Sequence, residues 1–284
     1  LSTEGVSVSR RADEQGRRNP RGTLAASHQR SWLWGRHAVL EALTAGRWPV
    51  LELLAAEELV TADQQQVQAL AAQRGLALQT VPAARLQQLC HQPDHQGLLA
   101  RMAPFPCSDQ QALISAARTA AQHGRCGLFV LCDRLQDPHN FGAVLRCCDA
   151  VAADGIIVGQ SGQAAVTPHV ARASSGAVNH LQLYEVPSLT DSLQALQQLH
   201  YTAVAASEKA QHCLWDAPLT GPLVLVIGSE AVGISNQLLQ LCDIHTAIPM
   251  QGQVGSLNAA VAAGILLYEC RRQQAALQRP ARRS

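Results

Sequence analysis

The residues best suited to chemistry follow the ends of three apolar strands in the second half of the chain. The first group lies in Asp133–Ala150, where the amide of Asn140 and the guanidinium of Arg146 flank the start of an apolar helix. If that helix begins near Phe141, the Arg146 side chain can return toward the same end. A simpler interpretation is also open, in which Asn140 caps the helix and Arg146 is a solvated surface residue.

The second group follows the apolar strand Leu223–Ile227. From Gly228 to Ser235 the sequence nearly matches the phosphate-binding loop G-x-x-x-x-G-K-[ST], but Ile234 replaces the lysine that reaches the β- and γ-phosphates. This replacement argues against a nucleoside triphosphatase. Glu230 remains as an acid beside glycines that allow close backbone approach to a ligand. Alternatively, Glu230 complements the dipole of the helix that follows.

The third group lies in Ile248–Ala263, where a loop with two glycines precedes Ser256 and Asn258 and an Ala-rich helix follows. Ser256 is a suitable N-cap for that helix. The small residues of the helix allow close packing, either within the chain or across a dimer. On residue types alone, a structural role explains this segment as well as a binding site does.

Several catalytic and metal-binding patterns do not occur in the sequence. H-E-x-x-H, G-x-S-x-G and G-x-G-x-x-G are missing, and the nine Cys include an adjacent pair, Cys147 and Cys148, but no C-x-x-C. We therefore expect no metal, reduced thiols packed as small hydrophobes, and neither a hydrolase nor a nicotinamide enzyme. His139 is the one histidine in a functional position, and a solvated loop residue is its simpler interpretation.

The elements that position these loops follow a strand–helix alternation, which predicts an α/β fold with a parallel sheet. Apolar runs without polar alternation fit strands buried on both faces. The predicted helices are 35–45, 62–73, one opened by Pro82, 110–123, 142–152, one opened by Thr167-Pro168, 189–199, 236–242 and 257–274. The predicted strands are 50–54, 77–81, 97–101, 128–132, 156–158, 181–186, 202–206, 223–227 and 246–248.

Composition changes along the chain suggest its domain boundaries. We predict a disordered basic tail at 1–30, a small α/β domain at 31–102, a proline-stiffened linker at 103–109, the main α/β domain at 110–275 and a basic tail at 276–284. The longest apolar stretches fall short of the roughly 20 residues of a membrane-spanning helix. Since the first residues also lack the pattern of a signal peptide, we expect a cytoplasmic protein.

Taken together and in this order, the three loops resemble the sequence motifs of the SPOUT-class RNA methyltransferases, in particular the TrmH (SpoU) branch of ribose 2′-O-methyltransferases. The motifs N-x-G-A-x-x-R, G-x-E-x-x-G and I-P-M-x-G-x-V-x-S-L-N correspond to Asn140–Arg146, Gly228–Gly233 and Ile248–Asn258. Trp34–Val39 is similar to the start of the family's substrate-binding domain. The nearest subgroup is the 23S rRNA guanosine 2′-O-methyltransferases. One departure is Ala231, where the family usually has Gly, which matters if the position needs a positive φ.

The resemblance implies a parallel sheet with a C-terminal trefoil knot, preceded by a small RNA-binding domain at 31–102. It implies that the second and third loops hold S-adenosylmethionine. The residues assigned to the cofactor by position are Gly228, Ile248 and Leu257, with Ile227 and Met250 as neighbours.

The implied reaction is methyl transfer to the 2′-hydroxyl of a ribose, a guanosine in ribosomal RNA. The family's proposed base corresponds to Arg146, but a guanidinium stays protonated in proteins. Our hypothesis is therefore that Arg146 binds the phosphate next to the target ribose and polarises the hydroxyl. Asn140, Glu230, Ser256 and Asn258 would position Arg146 and one another. The resemblance also implies a homodimer in which the partner's first loop completes the site.

Two alternatives stay open: a tRNA 2′-O-methyltransferase of the same branch, and a non-catalytic RNA-binding protein with this fold. A separate front domain favours rRNA over tRNA. The net charge of +1 conceals basic ends, with six Arg and three acids in residues 1–30 and five Arg and no acid in residues 271–284, around a body of 11 basic and 18 acidic groups. Because the body is acidic, RNA binding must rely on individual arginines such as Arg36 and Arg146 and on the two ends.

Overall fold

The computed structural model describes residues 31–123, 125–207, 210 and 212–278. Its strands are β1 Trp32–Trp34, β2 Val50–Ala56, β3 Leu78–Val81, β4 Leu98–Met102, β5 Leu128–Asp133, β6 Gly155–Gly159, β7 Leu183–Val186, β8 Thr202–Ala206, β9 His212–Cys213, β10 Leu223–Gly228 and β11 Ile244–Ala247. Its α-helices are α1 Arg36–Ala45, α2 Thr61–Gln73, α3 Ala83–Cys90, α4 Gln110–Gln122, α5 Pro138–Ala150, α6 Pro168–Ala173, α7 Leu189–Gln197, α8 Asn236–Leu241 and α9 Ala259–Gln278. Short 3₁₀ turns lie at Ala177–Asn179 and Leu214–Asp216.

The front domain is a four-stranded mixed sheet in the order β1-β4-β2-β3. Strands β2 and β3 are parallel, and the other pairs are antiparallel. Side chains alternate between the two faces of β2, as in any strand. Leu53 and Ala55 pack with residues of α1 and α2, whereas Leu54 and Ala56 pack with residues of α3.

The main domain is a seven-stranded sheet in the order β7-β6-β5-β10-β8-β11-β9, with every pairing parallel. Its helices lie on both faces. In β5, Val130 packs in the cluster that includes α5, α6 and α9, whereas Phe129 and Leu131 pack in the cluster that includes α4, α7 and α8. Burial on both faces explains the apolar runs of these strands and confirms the predicted α/β parallel fold.

Most predicted elements are present, and strand 202–206 has its predicted bounds. The sequence prediction missed β1 and the two-residue β9, and it placed some helix ends wrongly. Helix α5 begins at Pro138, four residues before its predicted start, because the Asp137 carboxylate accepts a hydrogen bond from the His139 N–H and caps the helix there. The trefoil knot stays a prediction.

The final helix differs from its prediction at both ends. It begins at Ala259 because Asn258 accepts hydrogen bonds from the backbone N–H groups of Ala260 and Val261, so the predicted cap at Ser256 was wrong. It ends at Gln278, three residues past the predicted domain boundary at 275. The predicted tail 1–30 and residues 279–284 lie outside the described residues. In the described part of the chain, no helix combines the length and apolarity needed to cross a membrane.

The predicted linker is part of the main sheet at one point. Ser108 forms a parallel bridge with Tyr184 of β7, donating its N–H to the Leu183 carbonyl and accepting from the Glu185 N–H. Trp48 of the front domain also donates its indole N–H to the Ala103 carbonyl at 2.6 Å. Hydrogen bonds therefore fix the predicted linker 103–109 near both of its ends, to the front domain at Ala103 and to the main sheet at Ser108.

Helices α5 and α6 pack so closely at Gly142 that no side chain fits there. An alanine methyl at this position would overlap Cβ of Ala173 and lie 2.9 Å from the backbone N of Ser174. The glycine of the first motif is therefore explained by helix packing.

We expect Gly142→Ala to lower the free energy of unfolding by about 1 kcal/mol, since overpacking costs about 1–3 kcal/mol and the gain in helix propensity returns about 1. Urea denaturation measures the change. Gly264→Ala in α9 is the matched control, because its methyl would meet the Sγ of Cys147 at 3.3 Å, and we expect no loss of stability. Equal losses in the two variants would contradict this explanation.

Candidate active site

A cavity of about 770 Å³ lies at the carboxyl ends of β8, β10 and β11, the edge where open parallel sheets bind ligands. The loops after β10 and β11 and the first turns of α9 form its walls. Eight of the ten residues predicted for catalysis or cofactor binding line it: Ile227, Gly228, Glu230, Ile248, Met250, Ser256, Leu257 and Asn258. The other two, Asn140 and Arg146, do not line it.

The loop after β10 folds back on its own strand. A side chain at Gly228 would overlap the backbone of Gly233 and Ile234, and the Gly233 N–H donates to the Ser229 carbonyl at 2.8 Å. Gly233 has a φ of +67°. Glu230 is exposed at the tip of this loop. Ala231 does not have a positive φ, so its departure from the family pattern leaves the loop backbone unstrained.

A carboxylate that sequence reasoning missed holds this loop. Asp133 is only 3% exposed and accepts a hydrogen bond from the Ser235 N–H at 2.6 Å. It is also the partner of Gly228 in the register of β5 and β10, so Asp133 meets both ends of the loop. An acid as the last residue of an otherwise apolar strand is the sequence signal for this role.

The first and third loops are joined by a pair of asparagines. The amide nitrogen of Asn258 donates to Oδ1 of Asn140 at 2.8 Å, while Oδ1 of Asn258 caps α9. Asn140 lies in the first turn of α5, whose cap is Asp137, so the simpler interpretation of Asn140 as the helix cap is wrong. The structure thus places Asn140 at the rim of the cavity through Asn258.

The two predicted arginines have partners away from the cavity. Arg146 is exposed and donates to the Ser175 hydroxyl at 3.0 Å. Arg36, in the front domain, forms a 2.8 Å ion pair with Asp63. Both guanidinium groups stay partly solvated, and within one chain they do not converge on the cavity.

The cysteines near the first loop are protonated thiols at neutral pH. Burial raises the pKa of Cys132 to about 12 and raises the pKa of Cys147 and of Cys148. All nine cysteines are free. Among the described residues, no group of three or more His, Cys, Asp or Glu side chains could hold a metal ion. The polar side chains that line the cavity itself are amides, hydroxyls and the carboxylate of Glu230.

Comparison with known proteins identifies the family of the chain. The model of the SpoU rRNA methylase family matches residues 127–268, and that of the RNA 2′-O ribose methyltransferase substrate-binding domain matches residues 32–106. A candidate TrmH family tRNA/rRNA methyltransferase of Bacillus subtilis, YacO, is 35% identical over 248 residues, which cover 87% of this chain and 98% of the relative. The chain belongs to the SpoU rRNA methylase family.

Solved SpoU structures share the architecture. The SpoU methyltransferase AviRb of Streptomyces viridochromogenes, in complex with AdoMet, aligns with a TM-score of 0.71 and 28% identity, covering 92% of this chain and 95% of its own. A structure described as an RNA 2′-O ribose methyltransferase aligns with a TM-score of 0.67 and 29% identity, covering 89% and 92%. The predicted fold and family are confirmed, whereas the roles of the individual site residues stay predictions.

Replacing Asp133 should loosen the loop after β10. In Asp133→Ala the Ser235 N–H loses its acceptor, and we expect about 1–3 kcal/mol of destabilisation with faster amide hydrogen exchange across 229–235. Asp137→Ala is the control, because it removes the cap of α5 and should leave exchange in 229–235 unchanged. Slow exchange of this loop in Asp133→Ala would contradict the assignment.

Proposed function

We propose that this SpoU-family chain transfers a methyl group from S-adenosylmethionine to the 2′-hydroxyl of a guanosine ribose in 23S rRNA. The observation that carries the proposal is that two of the family motifs line one cavity and that the remaining motif is tied to it through the Asn140–Asn258 hydrogen bond. The family match supports RNA 2′-O-methylation in general, and the front domain supports a large structured RNA.

The cavity fits S-adenosylmethionine in size and chemistry. A volume of about 770 Å³ lies within the range of roughly 300–1,000 Å³ usual for ligand sites. Apolar side chains of Ile248, Met250 and Leu257 line it, and the latter two are more than one-third exposed toward it or solvent. Gly228 and Ile227 at the end of β10 would offer backbone groups. These five residues would hold the cofactor.

When bound, S-adenosylmethionine would supply an electrophilic methyl group on sulfur, and its transfer to the 2′-oxygen would leave S-adenosylhomocysteine and release the hydroxyl proton to solvent. The protein's task is to align a ribose 2′-hydroxyl with that methyl and to exclude competing orientations. Arg146, a cation that stays protonated, binds the phosphate beside the target ribose and polarises the hydroxyl. Asn140 and Asn258 orient the ribose through their linked amides. Glu230 and Ser256 line the same cavity and would complete the positioning.

The proposal is tested by methyl transfer from labelled S-adenosylmethionine to 23S rRNA, 16S rRNA and tRNA from cells that lack the protein, followed by mapping of 2′-O-methylated nucleotides. Label on a 23S rRNA guanosine is the expected result. Label on tRNA alone would instead establish a tRNA 2′-O-methyltransferase. The name of the relatives, tRNA/rRNA methyltransferase, includes both substrates. Binding of RNA without any transfer would establish a non-catalytic protein.

Arg146→Ala should lower turnover by about 100-fold or more, since it removes a charge that acts on the reacting groups. Titration calorimetry with S-adenosylmethionine should show unchanged affinity, because in the proposed role Arg146 contacts the RNA phosphate and ribose and not the cofactor. Arg118→Ala is the control, as that exposed arginine lies on α4 at the opposite face of the sheet. Near-normal turnover in Arg146→Ala would refute the role.

We further infer that the active form is a homodimer in which the partner's first loop brings its Arg146 to the cavity. Within one chain Arg146 contacts Ser175 and not the cavity. Val261 and Tyr268, seven residues apart on α9, are 51% and 59% exposed and offer an apolar face for a second copy.

Light scattering at catalytic concentrations should therefore give twice the mass of one chain. Tyr268→Glu should weaken the dimer and lower turnover together, because a charge would be buried in the contact. Full activity of a monomer would contradict the inferred dimer.

A further inference from the structure

A polar and aromatic junction joins the front domain to helix α6. The guanidinium of Arg172 lies 4.6 Å above the Trp34 ring, and its Nη2 is 2.6 Å from the Asp94 carboxylate. The Trp34 indole N–H donates to the other oxygen of Asp94 at 3.0 Å. The Trp34 ring also meets the His169 ring edge-on at 4.8 Å. Trp34 and Asp94 thus contact two side chains of one short helix, His169 and Arg172.

The same helix leads directly to the partner of Arg146. The Ser175 N–H donates to the Arg172 carbonyl at 2.9 Å, which closes the turn after α6. In that turn Ser175 has a φ of +53°, a backbone conformation that residues other than glycine rarely adopt and that the surrounding structure must impose. Its hydroxyl then accepts the 3.0 Å hydrogen bond from Arg146. Residues 172–175 therefore connect Arg172, at the contact with the front domain, to Ser175, the hydrogen-bond partner of Arg146.

A second set of contacts fixes the far end of this segment to the front domain. His180 pairs with Glu41 of α1 at 2.6 Å, and Arg47 donates to the Leu181 carbonyl and to the Gln182 side chain. The front domain therefore contacts the segment 168–182 at both ends. Since α6 also packs against α5 at Gly142, α6 links the front domain to the helix that carries Arg146.

We propose that Asp94, Trp34 and Arg172 form a positioning junction that sets Arg146 relative to RNA held by the front domain. This inference rests on the proposed function of Arg146. None of the three residues lines the cofactor cavity. The junction acts through the 172–175 turn, so its loss lowers the rate of methyl transfer at saturating RNA and leaves cofactor affinity unchanged.

The test compares Asp94→Ala with Glu52→Ala in the full-length protein. Glu52 pairs with Arg101 at 3.0 Å wholly inside the front domain, so each variant removes one acid and one ion pair, and both change the general attraction for RNA equally. We expect kcat to fall about tenfold in Asp94→Ala, since small misplacements of reacting groups have large effects on rate, and to stay unchanged in Glu52→Ala. A change confined to KM for RNA would overturn the proposal.

Arg172→Ala and Ser175→Ala test the route of the effect. Their side chains are at opposite ends of the turn, and we expect each to lower kcat while the double variant is no worse than the more severe single one. If the effects of the two substitutions on kcat are fully additive in free energy, a shared route is overturned, because the effects of independent sites add and those of coupled sites do not.

Amide hydrogen exchange separates this proposal from the proposed function. Asp94→Ala should speed exchange in 172–176 and in the Gly142–Arg146 stretch of α5, whether or not the protein methylates a given RNA. Unchanged exchange there overturns the junction even in an active enzyme. A wild-type protein without methyl transfer to any RNA overturns the proposed function, and the exchange result then still decides whether the junction holds the turn.

Discussion

Pairing of β5 with β10 at the centre of the main sheet is the constraint on which the site depends. The two strands are parallel and in register over six residue pairs, from Leu128 and Leu223 to Asp133 and Gly228. Because parallel strands end at the same edge, the first and second motifs must emerge side by side. Neighbouring β8 and β11 bring the third motif to the same edge. A slip of one residue in this register would move the side chains of the slipped strand to the opposite faces of the sheet and separate Asp133 from Gly228.

Periodicity and apolar runs predicted the parallel sheet, its strand positions and the loops that form the cavity. They could not predict the contacts that hold those loops. Asp133 acts on Ser235, 102 residues away, and Asn140 meets Asn258, 118 residues away. Local sequence patterns carry no information on such pairs. The cap of α9 was misplaced for a local reason, since Ser256 and Asn258 are two positions apart and both are suitable N-cap residues. The start of α5 was misplaced for a local reason, since Asp137-Pro138 is a cap and first-turn pair as well as a turn signal.

Arginines illustrate why net charge says little about binding here. Arg36, Arg101 and Arg172 each pair with a carboxylate. At the basic C-terminal end, Arg272 pairs with Glu269, where its hydrogen bonds lower the pKa of that buried carboxyl, and Arg271 binds the carbonyls of the turn after α5. Much of the positive charge therefore stabilises the fold. Arg146 differs because its partner is a neutral hydroxyl, so no carboxylate has to be displaced before it binds a phosphate.

The cap of α9 also sets the direction of the hydrogen bond between Asn258 and Asn140 at the rim of the cavity. Because the Ala260 and Val261 N–H groups can only donate, they fix the Asn258 side chain with its oxygen toward the helix. Its nitrogen must then face Asn140 and bind the oxygen of that amide. The nitrogen of Asn140 is left as the group that can donate outward. The first N–H groups of α9 thus orient two amides in succession, and this relay ends in a hydrogen-bond donor on α5.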